Sequence, residues 1–251
     1  MNEDELLKRK VLDTANQAFH HNIYTYTNFL SISELAVVTS FKKELSFIRY
    51  DIYGGNSVCE RQLIRFGSPE DYGYDAGYPI TTLKISPLSV KFAEKLEHRD
   101  YLGALMNLGI ERELIGDIII KDSDAYIFCI SHIADYICDN LDTIRHTHIH
   151  CSVCEEDVPA LKPELEDIRI IAASPRIDAV VASITKLSRS NSNELFFSKK
   201  IYVNGQCIEN KSAHLKPDDI LVIRGTGKFI YVGDESETRK GRTYLTLKRY
   251  I

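Results

Sequence analysis

The chain has 251 residues, 44% hydrophobic and 27% charged, a balance that sets aside the disordered and collagen-like classes and points to a globular protein with a real core. Its net charge of −5 is unevenly spread: residues 1–174 hold 17 Lys+Arg against 28 Asp+Glu, giving −11, and residues 175–251 hold 14 against 8, giving +6. No apolar run approaches the roughly 20 residues a membrane helix needs, and the opening MNEDELLKRK lacks a secretory signal, so the cytoplasm is the expected location, no membrane is expected as partner, and the six cysteines are expected to be reduced.

Residues 3–20 place Leu6, Leu7, Val11, Leu12, Ala15, Ala18 and Phe19 at helical spacing. A second helix is expected from Ser31, where Ser31 and Glu34 form a capping box ahead of an apolar run. SFIRYDIY (46–53) reads as a strand, Gly54-Gly55 as a turn and SVCERQLIRF (57–66) as a third helix. GSPEDYGYDAGYP (67–79), rich in Gly, Pro, Asp and Tyr, has no period of its own and is the expected first domain boundary.

From residue 80 the order is ITTLKIS as a strand and 87–109 as a helix broken near His98. GDIIIKD (116–122) and AYIFCI (125–130) follow as a hairpin, 131–142 as a helix, and TIRHTHIHCSV (143–153) as one strand. That order is β-α-β-β-α-β, a split ferredoxin-like arrangement shared by RNA-recognition domains and many unrelated proteins. Tyr126 and Phe128 supply aromatics on the strand where an RNA-recognition domain stacks bases, without that domain's glycines and basic residues. The acidic EEDVPALKPELED (155–167) reads as a linker, leading through the apolar IRIIAA into the last module.

The last module carries four separated blocks. These are Arg176-Ile-Asp178, then Ser188-Arg189-Ser190 opening a helix, then Ile201-Tyr-Val-Asn204-Gly205, then Asp219-Ile220-Leu-Val-Ile-Arg224-Gly225. In that order over about 50 residues they resemble the S4 RNA-binding module. With HRDYLGALMNLGIERELIGDIII (98–120) and the RGTGKF run (224–229), nearly the whole chain resembles the YlmH family of bacterial S4 proteins. The resemblance implies an α+β chain of three small domains. They are a mixed N-terminal α/β domain (1–75), a ferredoxin-like, RRM-like middle domain (76–170) and a C-terminal S4 (αL-type) RNA-binding domain (175–251). It further implies ribosomal RNA and tRNA as partners, association with the large ribosomal subunit, and a role in rescue of stalled translation; no enzymatic activity is expected. Lys199 and Asp218 stand where S4 modules usually have glycine.

Physically, a helix opened by Ser188 with Arg189 beside it offers backbone N–H groups and a guanidinium to one phosphate. The expected RNA-binding residues are Arg176, Lys186, Ser188, Arg189, Ser190, Asn193, Lys199, Lys200, Asn204, Arg224 and Lys228. Two of these have a competing reading: Arg176 with Asp178 as an internal ion pair or cap, and Ser188 as a cap in either case. Gly225-Thr-Gly227-Lys228 lacks P-loop spacing and reads as a β-turn. His146, His148, His150, Cys151 and Cys154 form the alternative metal site, weighed against a solvated histidine strip; no cofactor or metal is expected. An RNA-modifying enzyme and an S4-derived protein-interaction scaffold are the rival classes, and no nucleotide fingerprint or nucleophile motif supports the first.

Overall fold

A computed structural model describes residues 2–57, 59–154, 165–237 and 243–250, with the side chains of 189, 190 and 234–237 outside that description. It is mixed α+β and divides into two compact units, residues 1–162 and 163–251.

The first unit opens with α1 (Glu3–His21), which buries Val11, Ala15 and Ala18 along one face and leaves Leu6 and Phe19 exposed. Three acids in its first turn and two histidines in its last lie at the ends the helix dipole favours. After β1 (Thr25–Tyr26), α2 (Ile32–Ser40) starts at the Ser31–Glu34 capping box, the Ser31 hydroxyl accepting from the Glu34 N–H at 3.3 Å. The next strand is shorter than the sequence pattern suggests, β2 (Tyr50–Tyr53), because 42–45 close into a 3-10 turn that buries Leu45. SVCERQLIRF is not a helix. Its second half is β3 (Leu63–Phe66), the central strand of the sheet β1-β3-β2, buried at all four positions. A strand covered on both faces reads as a continuous apolar run, which periodicity alone does not separate from a helix.

Nor is the Gly- and Tyr-rich stretch a free boundary. It holds the short helix α3 (Pro69–Tyr72) and folds back on the N-terminal elements. The Tyr72 hydroxyl donates to the Ala18 carbonyl, Tyr24 to Tyr74, and Tyr26 to Gly77. Buried Arg65 lies between the rings of Tyr24 and Tyr78, at 5.2 and 4.7 Å, and pairs with Asp51 and Asp75.

Next come β4 (Ile80–Pro87), α4 (His98–Asn107), β5 (Ile115–Lys121), β6 (Asp124–Ile130), α5 (Ala134–Asn140), β7 (Thr143–Ile144) and β8 (Thr147–Val153). The sheet order is β5-β6-β4-β8-β7, antiparallel throughout, a split β-α-β arrangement with one added edge strand. One face packs α4 and α5 over Leu83, Ile85, Ile127 and Cys129. TIRHTHIHCSV is a hairpin rather than one strand: Arg145, at φ 55°, turns β7 into β8. The helix expected from residue 87 begins only at His98.

The two halves of this unit share a core of Phe29, Cys59 and Leu63 against Phe128 and Ile130. They are also clasped by polar groups. The half-buried Asp117 carboxylate accepts from the N–H groups of Glu60 and Arg61, while the Arg61 guanidinium donates to the carbonyls of Ile115 and Phe29 at 3.0 and 2.9 Å. A Cβ at Gly116 would come within 2.8 Å of the Phe29 ring, so the chain needs glycine there. Residues 112–117 of the family-like block are therefore an internal weld.

The second unit contains β9 (Leu165–Ala172), α6 (Ile177–Thr185), α7 (Arg189–Phe197), β10 (Ile201–Val203), β11 (Gln206–Cys207), β12 (Ile220–Ile223), β13 (Gly227–Glu237) and β14 (Thr243–Tyr250). The sheet order is β11-β10-β12-β13-β14-β9. Val180, Val181 and Phe196 from the helices meet Ile201, Leu221, Phe229, Leu245 and Leu247 from the sheet. The apolar strand IRIIAA after the linker belongs to this unit: β9 pairs with β14 over eight positions, Leu165↔Tyr250 to Ala172↔Thr243. Of the acidic linker, 155–164 lie outside the described residues.

Candidate nucleic-acid interface

Helix α7 opens on Ser188, whose hydroxyl accepts from the Asn191 N–H at 3.3 Å, so Ser188 is a cap. The start of the helix carries the positive end of its dipole, which favours an anion. Arg189 and Ser190 are the first two residues of that turn, and their side chains lie outside the description. Lys186, exposed at φ 55°, closes α6 two residues before the cap. Asn193 is half-buried and lines a cleft of about 460 Å³ with Arg176, Ala179 and Ser183.

At its other end α7 closes with the Lys199 N–H donating to Phe196 and the Lys200 N–H to Leu195. Lys199 takes the left-handed conformation, φ 52°, and Asp218 does the same at φ 70°. The backbone of both turns therefore keeps the conformation glycine favours, at a strain of about 1 kcal/mol each. Lys199 and Lys200 are exposed. The Arg224 N–H donates to the Lys200 carbonyl at 2.9 Å, and its guanidinium lies 4.5 Å over the Tyr202 ring. Lys199, Lys200 and Arg224 are thereby brought onto one basic surface.

Three expected contacts are used internally. Arg176 forks onto Asp178, at 3.1 and 2.7 Å, and reaches the Ser212 hydroxyl, so the ion-pair reading describes it. Asn204 donates to the Asp219 carboxylate and accepts from the Ile220 N–H, bracing the turn before β12. The Lys228 ammonium is buried, 4.0 Å from the centroid of the Tyr250 ring, and burial lowers its pKa to about 8. Its position in β13, opposite Val222, puts it on the sheet face away from Leu221 and Phe229, where the Tyr250 ring covers it. The Gly225-Thr-Gly227 run is the turn between β12 and β13, the Thr226 N–H donating to Ile223.

Phe197 and Lys211 were not anticipated. Phe197 is 78% exposed, and the Lys211 ammonium lies 4.0 Å from its ring centroid. Neighbours on a helix point about 100° apart, so the rings of Phe196 and Phe197 face different directions, and here only Phe196 faces the core.

The histidine and cysteine set does not assemble. Burial alternates along β8, with Ile149 and Cys151 inward and His148 and His150 outward, while Val153 is exposed rather than inward. Cys151 Sγ meets Cys138 Sγ at 3.3 Å on the helix-covered face. His146 sits in the turn between β7 and β8, not on the strand. Among the described residues no group of three or more His, Cys, Asp or Glu side chains could hold a metal. No helix among them is long and apolar enough to cross a membrane.

The other face of the middle sheet is covered by the N-terminal elements at Phe128 and Ile130. Next to that cover stand half-buried Tyr126, with the Lys84 ammonium 5.9 Å from its ring, and exposed His148 and His150.

Fold and surface thus define a two-unit α+β chain with a basic face on the smaller unit. A family model described as "Putative RNA-binding domain in YlmH" matches residues 75–157, the middle sheet and its helices. A curated relative, "Ribosome-associated protein quality control protein P2" of Bacillus subtilis (strain 168), is 28% identical over 172 residues. That match covers 66% of this chain and 66% of the relative, just under two thirds of its length. A solved structure, "Cell division protein ylmH from Streptococcus pneumoniae", is similar in fold at a TM-score of 0.51 and 17% identity, covering 61% of this chain and 92% of that one. The matches show that residues 75–157 resemble the RNA-binding domain of YlmH and that the fold resembles that of the solved structure.

Proposed function

We propose that this chain is a cytoplasmic RNA-binding protein that reads structured RNA, ribosomal RNA and tRNA, through an S4-type module in residues 163–251. We further propose that it acts with the large ribosomal subunit in rescue of stalled translation. The observation that carries the reading is the surface holding Lys199, Lys200 and Arg224, on the unit whose helix α7 starts at Arg189. Fixed cations beside a helix start favour the phosphate backbone, and a basic module gains affinity by counterion release. The curated relative named as ribosome-associated supports the partner.

The family match gives the middle domain a share in this reading. Its Tyr126–Lys84 pair and the adjacent histidines His148 and His150 form a second surface suited to RNA contact. The protein works by binding and positioning rather than catalysis, with no cofactor in its task. An RNA-modifying enzyme and a protein-interaction scaffold are the readings this displaces.

The test is crosslinking in cells with sequencing of the attached RNA, together with co-sedimentation of the full-length protein and Arg189→Glu with large ribosomal subunits. Ribosomal RNA and tRNA among the crosslinks, and at least about ten-fold weaker RNA binding by Arg189→Glu, are the expected results. Full-length protein that fails to co-sediment with vacant or tRNA-occupied subunits contradicts the ribosomal assignment.

A further inference from the structure

Phe197 lies at the end of α7, 78% exposed, while its neighbour Phe196 is 5% exposed and belongs to the core. A single exposed phenylalanine is unremarkable in itself, but this one is held. The Lys211 ammonium stands 4.0 Å from the ring centroid, over one face. Lys211 is placed by the fold: its carbonyl accepts from the Asp178 N–H, and Ala213 two residues on accepts from Ile177, so the 211–213 loop is tied to the start of α6. The ring is therefore clamped on one side by a cation, and its high exposure leaves the other side to solvent.

What surrounds the ring sets the chemistry of its partner. Lys199 and Lys200 follow it directly, both exposed. Beyond them the Arg224 guanidinium lies over Tyr202 at 4.5 Å, and Arg224 is tied to Lys200 through its backbone N–H. Two aromatic–cation pairs thus flank a pair of lysines. From 194 to 216 the chain has four lysines, Lys199, Lys200, Lys211 and Lys216, against two glutamates, Glu194 and Glu209. A basic, aromatic-interleaved surface suits a polyanion with planar groups better than a protein partner, because bases stack on rings and guanidinium planes while lysines take the phosphates.

We propose that Phe197 is a stacking platform for an unpaired nucleobase, with Lys211 on the ring's far face and Lys199–Lys200 gripping the adjoining phosphates. The proposal rests on the RNA reading above and adds that the RNA presents at least one unstacked base to this unit. The nine-residue helix α7 separates the two ends of the surface by about 12 Å at 1.5 Å per residue. A phosphate at the α7 start and a base at its end therefore belong to different nucleotides of one bound strand.

The experiment uses full-length protein and two RNA probes: a hairpin with 2-aminopurine in an unpaired loop, and a blunt duplex of equal length. Variants are Phe197→Ala, Phe197→Tyr and, as a surface control, Lys200→Glu. Wild type is expected to bind the hairpin more tightly and to quench the 2-aminopurine. Phe197→Ala is expected to lose on the order of ten-fold for the hairpin, with duplex binding changed less than two-fold and quenching abolished. Phe197→Tyr should restore both affinity and quenching, and Lys200→Glu should weaken both RNAs alike. Hairpin affinity and quenching unchanged in Phe197→Ala overturn the stacking proposal, as does equal loss for hairpin and duplex. Loss of ribosome association with both RNA affinities intact would assign the ring to a protein partner and overturn it too. If wild type binds neither RNA, the RNA reading itself fails, and stacking with it. Thermal melts within a degree or two of wild type establish that each variant is folded.

Discussion

The side-chain amide of Asn204 donates to the carboxylate of Asp219 at 2.8 Å, and the same side chain accepts from the Ile220 N–H at 2.9 Å. Asp219 in turn accepts from the Lys216 N–H, so one amide and one carboxylate hold both sides of the approach to β12. Asn204→Ala leaves a backbone N–H and a carboxylate oxygen without their partner and should cost about 1–2 kcal/mol. Denaturant melts read that loss, and RNA affinity at a temperature where the variant is folded should stay within about two-fold. A ten-fold affinity loss at unchanged stability would return Asn204 to the RNA surface.

Lys228 supplies the pH-dependent prediction. Burial lowers its pKa from 10.5 to about 8. Between those values the unfolded chain holds the proton and the folded chain does not, so stability rises with pH across that window. Below it both states are protonated and the full cost of burying the ammonium is present, offset in part by the Tyr250 ring. Lys228→Met removes the titration. The melting temperature of the variant minus that of wild type should therefore fall as pH goes from 7.5 to 9.5; a constant difference would show that the ammonium is solvated. RNA affinity of Lys228→Met should match wild type, since the charge is not on the surface.

Asp117 joins the two halves of the first unit. Burial raises its pKa, against the pull of Arg61 and Arg112, while burial lowers Arg112 to about 10. Asp117→Ala strands the N–H groups of Glu60 and Arg61 and removes the anion near the half-buried guanidiniums of Arg61 and Arg112. A loss of about 3 kcal/mol is expected. Hydrogen exchange should show residues 60–66 and 115–119 losing protection together; a change confined to β5 would contradict a shared clasp.

The place of β9 decides how the C-terminal unit should be isolated. A fragment starting at residue 175 lacks Leu165–Ala172, uncovers eight paired positions of β14 and removes Ile168 and Ile170 from the core edge. It should be less stable than a fragment starting at 163 by at least about 3 kcal/mol, and more prone to aggregate through the bared edge. Equal melting temperatures for the two fragments would refute this.

The sequence alone determined what depends on nearest neighbours along the chain. The Ser31–Glu34 box and the Ser188 cap are local hydrogen bonds, the turn at Asp122–Asp124 is a local backbone choice, and the concentration of positive charge after residue 174 needs no coordinates. Even the left-handed backbone at Lys199 was readable from the residue that usually stands there. The tertiary structure alone decided what depends on which surfaces are covered. A short, largely apolar stretch such as Leu63–Phe66 is strand or helix according to whether both its faces find partners, and for β3 they do, with Arg65 held by Asp51 and Asp75. Which strand IRIIAA pairs with was decided by the fold, which lays it along β14 at the sheet edge. Lys228 carries the same ammonium as Lys199 and Lys200 but is covered by the Tyr250 ring, while Arg176 and Asn204 are engaged by Asp178, Asp219 and the Ile220 N–H, partners that only the folded chain brings within reach.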